Sequence, residues 1–327
     1  MDANTNVVFG ASGVVGKAVV RLLSKNGATV VAVSRTGKIE ALDGLPGVTF
    51  KAADALNEEQ VVDVCQGASS IYCSIGLKYD SAVWERDFPK IVESMLQAAE
   101  KTGAVMVWAD NMYMFGPEAA RAGRVLKESD TEFTVEGRKP ALRARMDRQM
   151  LEAASSGRCK VAIVRASDFY GPEVVQAALG DDFFKPLLKG SKVMLLGTPM
   201  TQHTFTYVPD LAKALVAVAG KPSAWGRAWH CPNAEASSIV GIMDKVAGMS
   251  GGKAPPKYTV LKGLFARLLG LFIPALVELR EMSFLYDYDF LIDHSDFSAK
   301  FRELALPTPM EDGLKATVDW YTSQEAK

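Results

Sequence analysis

Three glycines give the first hint of chemistry in this sequence. Between an apolar run at 6–9 and an amphipathic stretch from Val14 lies Gly10-Ala11-Ser12-Gly13-Val14-Val15-Gly16. Glycines at this spacing allow a tight turn, let the backbone approach a pyrophosphate, and let a helix pack close to its strand. The N–H groups at the start of that helix then face the phosphate. Set between a strand and a helix, the pattern points to dinucleotide binding far more strongly than glycines alone. An NAD site places an acid at the end of the second strand, about 20 residues on, to hold the ribose 2′-hydroxyl. This chain has Ser34-Arg35 there, with Lys38 following. A planar guanidinium suits a 2′-phosphate. The expected cofactor is therefore NADP, with NAD second.

These residues need elements to position them. Apolar runs at 6–9, 29–33, 48–52, 70–74, 105–109 and 161–165 read as strands, and helical periods fall at 14–24, 58–66, 88–101 and 143–154. Alternation of this kind predicts an α/β fold, a doubly wound parallel Rossmann sheet covered on both faces, with a smaller C-terminal substrate domain. The nucleotide-binding domain is expected over 1–165, with a return at about 208–231 that adds a seventh strand at 228–231. The substrate domain takes 166–207 and 232–327, with helices expected at 173–188, 237–247 and 310–321 and short strands at 193–196 and 204–207.

The motifs resemble those of the extended short-chain dehydrogenase/reductases, the NAD(P)-dependent epimerase/dehydratase-like proteins that include nucleotide-sugar epimerases. Gly10, Gly13 and Gly16 match the family's glycine loop. Asp54, followed by Ala55, matches an aspartate that contacts adenine, and Ser74-Ile75-Gly76 matches a strand end lying along the cofactor. Arg165-Ala166-Ser167-Asp168-Phe169-Tyr170-Gly171-Pro172 resembles the family's R-x-x-N-x-Y-G-P, placing Ala166 and Asp168 beside the cofactor. The segment 204–212 resembles its F-x-x-V-x-D-x-A entry to a late helix. The resemblance implies the fold and a nicotinamide cofactor.

The chain departs from the family where the family does its proton chemistry. Counting back from Gly116 puts Asn111 at the catalytic serine, with Asp110 before it. The Tyr-x-x-x-Lys pair should lie near 137–145, where there is no tyrosine and the lysine position falls near Ala144 or Arg145. Arginine can supply a fixed charge but cannot relay a proton. Carbonyl reduction needs a donor near the nascent alkoxide. Tyr113 is the nearest candidate by sequence, with Asp110 and Asp168 as alternatives. Two functions follow: an NADP(H)-dependent oxidoreductase or epimerase-like enzyme for a small organic carbonyl or hydroxyl substrate, or a catalytically inactive dinucleotide-binding sensor or scaffold.

Composition narrows the remaining classes. Lys and Arg total 37 against 38 Asp and Glu, a net charge of −1, so no nucleic-acid footprint is expected. Cys65, Cys73, Cys159 and Cys231 form no C-x-x-C pair, and His203, His230 and His294 are scattered, so no metal site is expected. The start of the chain lacks the pattern of a signal peptide, and the expectation is a cytoplasmic protein with no transmembrane segment. The apolar stretch 264–285 is open to several readings: a buried helix, a pocket wall, a homodimer contact or an interfacial membrane contact.

Overall fold

Strands without polar alternation need cover on both faces, and this requirement shapes the centre of the molecule. The computed structural model describes residues 5–249, 255–261, 278 and 281–325. Its strands begin with β1 (Thr5–Phe9), β2 (Thr29–Ser34), β3 (Val48–Ala52), β4 (Ser70–Cys73), β5 (Val105–Asp110) and a short β6 (Val125–Leu126). They continue as β7 (Lys160–Arg165), β8 (Asp168–Tyr170), β9 (Val193–Leu196), β10 (Phe205–Tyr207), β11 (Arg227–His230) and β12 (Tyr258–Leu261). Seven of them form one parallel sheet in the order β11-β7-β5-β4-β1-β2-β3. The direction of winding reverses between β1 and β4. In such sheets ligands bind in the crevice outside the carboxyl ends of the strands at that reversal.

The first eight helices in chain order are α1 (Val14–Lys25), α2 (Glu58–Val64), α3 (Ser81–Thr102), α4 (Gly116–Arg121), α5 (Arg138–Ser155), α6 (Asp181–Leu188), α7 (Val208–Ala219) and α8 (Ile239–Met249). Alternate residues of each strand serve opposite faces. Val7, Phe9, Ile71, Met106 and Ile163 pack with α2, α3 and α5. Val8, Val30, Tyr72, Val107 and Val164 pack with α1 and α7. Burying each such valine or isoleucine contributes roughly 1.5–3 kcal/mol. The strand at the chain's return forms as expected, since β11 pairs with β7 through Arg227 to His230. A third core joins α6, β9, α8 and the helix Met310–Glu325.

Caps explain two boundaries that periodicity misplaced. Helix α3 begins at Ser81, well before 88, because the Asp80 carboxylate accepts from Ala82 and Val83 N–H at 2.9 and 3.1 Å. It ends at Gly103, which takes φ 70°. Helix α5 begins at Arg138, where Glu281 accepts from the N–H groups of Arg138 and Lys139. The helix expected over 173–188 is corrected to α6, Asp181–Leu188. Glu173 sits at φ 66°, outside helical space, while its carboxylate accepts from Lys17 and, at 2.6 Å, from Arg21. Of the stretch 264–285, positions 264–277 and 279–280 lie outside the described residues. Among the described residues no helix is long and apolar enough to cross a membrane.

Candidate active site

The glycine loop meets the end of β4 at the reversal point. Gly10 takes φ 74°, and a Cβ there would lie 2.7 Å from the Ser74 carbonyl carbon. A Cβ on Gly16 would lie 2.2 Å from the Gly10 oxygen, so α1 can start this close to β1 only without that carbon. Ser74 fixes the opposing edge, with its N–H and its hydroxyl both donating to the Phe9 carbonyl at 3.1 Å. No side chain caps α1 at Gly13, and no acid stands in its first turn. The positive end of the helix dipole is therefore left for an anion. Ser12 and Gly13 are exposed, Val14 is half-buried, and Val15 and Gly16 are buried behind them.

The other positions expected to hold cofactor lie along the same edge of the sheet. Ser34 accepts from Gly37 N–H at 3.1 Å, shaping the turn after β2. Arg35 is exposed on that turn and enters no ion pair among the described residues. Asp54 follows β3, exposed, with its carboxylate accepting from Leu56 N–H at 3.0 Å and Ala55 buried beside it. Ile75 is half-buried and Gly76 exposed. Ala166 is buried, its N–H donating to the Asp110 carbonyl at 2.9 Å. The bare helix end and the glycine cradle that a Cβ would fill fit a dinucleotide.

Beyond β4, β5 and β7 the loops bring together residues of a different kind. The Tyr79 ring meets the Trp84 ring edge-on, centroids 5.5 Å apart. The Trp84 ring stacks on Tyr113, centroids 6.3 Å apart. Asp168 accepts from the Tyr286 hydroxyl, and its Oδ2 lies 3.2 Å from His203 Nε2. His203 Nδ1 donates to the Leu285 carbonyl at 3.0 Å, and its ring stacks on Tyr286. Burial pushes the hydroxyls of Tyr79, Tyr113 and Tyr286 well above the usual phenol range, and the Asp168 charge adds to the rise in all three. At neutral pH all three keep their protons. Asn111 acts as a turn former, its side-chain oxygen accepting from Tyr113 N–H at 3.0 Å.

A model of the NAD dependent epimerase/dehydratase family matches residues 6–230. The chain belongs to that family. Similar solved structures include the dTDP-glucose 4,6-dehydratase of Bacillus anthracis in complex with NAD, at 16% identity and TM-score 0.80, covering 99% of this chain and 98% of that one. The UDP-glucuronic acid 4-epimerase of Bacillus cereus in complex with NAD is also similar, at 17% identity and TM-score 0.77, over 98% and 99% of the two chains. At such identities the likeness shows the fold. A curated relative, an uncharacterized UDP-glucose epimerase of Bacillus subtilis (strain 168), is 28% identical over 94 residues, which span 29% of this chain and 30% of that protein.

Within this epimerase/dehydratase fold, α5 supplies a different pair from the one expected. Arg145, expected in the site, is exposed. It is Arg143 that reaches the end of β5, its Nη1 donating to Asp110 Oδ1 at 2.9 Å. Two residues along a helix are roughly 200° of rotation apart, so the two arginines face opposite ways. One turn earlier, Lys139 is fully buried. Its ammonium donates to Glu278 and, at 2.9 Å, to Ser81 Oγ, and lies 4.6 Å from the centre of the Tyr79 ring. Sequence reasoning missed Lys139 and Arg143, although the i, i+4 spacing of 139, 143 and 147 on one helix face carried a signal. Tyr79 and Tyr286 gave none, because distant segments deliver them.

Proposed function

We propose that this chain is an NADP(H)-dependent oxidoreductase acting on a small organic carbonyl or hydroxyl compound, with its proton chemistry rebuilt around Tyr113. Gly10, Ser12, Gly13 and the start of α1 would hold the pyrophosphate, with Asp54 near the adenine and Ser74 to Gly76 along the nicotinamide half. Arg35, exposed and in no ion pair among the described residues, supports the choice of the 2′-phosphorylated form. When bound, the nicotinamide ring supplies or takes up the hydride.

The chain's own part is the proton. A phenol that keeps its proton at neutral pH is a donor rather than a base, which favours reduction of a carbonyl. In that direction the Tyr113 hydroxyl gives its proton to the oxygen of the former carbonyl. The Arg143 charge stabilises the phenolate left behind. The observation that carries this reading is the half-buried Tyr113, stacked on Trp84 on the loop that follows β5, in a family member whose α5 offers Lys139 and Arg143 in place of a tyrosine and lysine.

Those same two residues favour a second reading, a dinucleotide-dependent sensor or scaffold. Lys139 is occupied by Glu278 and Ser81, and Arg143 by Asp110. One experiment separates the two. NADPH turnover is screened against small carbonyl compounds and against nucleotide sugars, on which the named relatives act. Tyr113→Phe is then compared on any active substrate. Turnover should fall by about 100-fold or more, the usual worth of a positioned general acid, with cofactor affinity unchanged. Unchanged turnover removes Tyr113 from the chemistry, and cofactor binding without any turnover selects the sensor.

A further inference from the structure

Among the described residues, Glu173 is the only one other than glycine at positive φ, 66°. A side chain enters that region at a steric cost, and such strain persists only where the surroundings over-determine it. Here they do so from two sides. The Glu173 carboxylate accepts from Lys17 Nζ and, at 2.6 Å, from Arg21 Nη1. The two cations stand four residues apart, on one face of α1. The next residue, Val174, is 2% exposed. Its N–H donates to the Gly171 carbonyl at 3.2 Å, and its own carbonyl accepts from the Tyr321 hydroxyl at 2.9 Å.

The turn lies where the dinucleotide would pass. Lys17 closes the first turn of α1, its N–H donating to the Gly13 carbonyl at 2.9 Å. Glu173 follows β8, which comes off the carboxyl end of β7, whereas α1 comes off the carboxyl end of β1. In the sheet β5 and β4 separate those two strands. Val174 packs in one core with Val15 of α1 and Val208 of α7. Residues 171–174 therefore bridge the two sides of the reversal point, along the carboxyl edge of the sheet and beside the bare end of α1.

We propose that this turn is a clasp on the dinucleotide seat, and that Glu173 is the positioning residue whose ion pairs to Lys17 and Arg21 keep it shut. The inference rests on the dinucleotide reading above. Once its cations let go, nothing holds Glu173 in the left-handed region, and the backbone relaxes away from α1. Pro172 has a fixed φ, so the movement falls on Gly171 and Glu173. Val174 stays anchored in the core. The side chains of Lys17, Glu173 and Arg21 are 17%, 22% and 42% exposed, so water reaches the ion pairs and they open without unfolding anything. A gate of this kind sets how fast the cofactor comes and goes, and leaves its affinity alone.

The test is stopped-flow kinetics on the full chain. Association of NADPH, and its displacement by excess NADP, are followed through nicotinamide emission. Glu173→Gln keeps the shape of the side chain and removes its charge. Both rates should rise about 10-fold, as expected for loss of a hydrogen bond between charged groups, with the dissociation constant within about threefold. Faster association with slower or unchanged release would make Glu173 a charge that repels an anion. Faster release with unchanged association would make it a prop for α1. Either result, or two unchanged rates, overturns the clasp. Should Glu173→Gln not fold, Arg21→Met removes one arm and should raise both rates by a smaller factor; two unchanged rates there overturn the clasp as well. A wild type that binds neither dinucleotide contradicts the cofactor reading and the clasp with it. A wild type that binds, with a variant whose rates do not move, contradicts the clasp alone.

Discussion

The edge formed by the ends of β1 and β4 and the edge formed by the ends of β5 and β7 belong to one sheet, yet they obey different constraints. At the first, backbone approaches backbone, and only glycine leaves the room. At the second, side chains from α3, α5, β5, β7 and β8 meet one another and those of Glu278 and Tyr286 in hydrogen bonds. A backbone constraint permits one residue type at a fixed spacing. A side-chain constraint can be met by many combinations, so it is free to depart from the family while the fold stays. The comparison teaches that the backbone cradle and the side-chain cluster are separable in this molecule.

The sharpest way to break that comparison is Arg143→Ala. It leaves Asp110 buried beside Asp147 without its counter-charge, and breaking a buried pair costs about 3–5 kcal/mol. Chemical denaturation should show a loss of that size, while NADPH still binds to whatever fraction stays folded. Next comes Gly16→Ala, which drives a methyl into the Gly10 carbonyl. Overpacking against backbone should cost up to about 3 kcal/mol, and this variant should lose cofactor binding. If Arg143→Ala loses binding and Gly16→Ala keeps it, the division between the two edges is wrong.

A smaller effect sharpens the second region. Burial raises Glu128 to about 7, although it accepts from His230 N–H at 2.9 Å and Phe297 N–H at 3.1 Å. Its ordinary value is 4.5. The folded chain thus binds a proton that the unfolded chain has lost, and stability falls as pH rises from 4.5 through about 7. The slope for one such group is at most about 1.4 kcal/mol per pH unit. Glu128→Gln should flatten a plot of melting temperature against pH in that window. A residual slope of the same sign should persist from Asp110, raised from 3.8. A steeper slope in the variant would reverse the sign assigned here. The smallest effect is expected from Arg145→Ala, within about 0.5 kcal/mol as for most surface changes, with turnover unchanged.

Most of the sheet was legible because its apolar runs had nowhere else to go, and even the return strand β11 could be read from 228–231. The glycine loop was legible because its spacing states a steric requirement. The proposed proton site was legible only in what it lacked. The absence of a tyrosine in α5 could be counted, but Arg143 could not be told from Arg145 until the helix start at Arg138 fixed which face looks inward. That start is set by Glu281, a residue far along the chain. Glu173 escaped notice for a similar reason, since its left-handed backbone comes with partners on α1. Local periodicity carries no record of such long-range partners.

The central claim is that the first edge still binds a dinucleotide and that Arg35 selects the phosphorylated one. The most direct measurement is a nicotinamide fluorescence titration of the wild type and Arg35→Ala with NADPH and with NADH. Wild type should bind NADPH more tightly. Arg35→Ala should weaken NADPH by about 10- to 100-fold, the worth of a hydrogen bond between charged groups, and leave NADH within about twofold. Failure of the wild type to bind either cofactor, or equal losses for both in Arg35→Ala, would contradict the account.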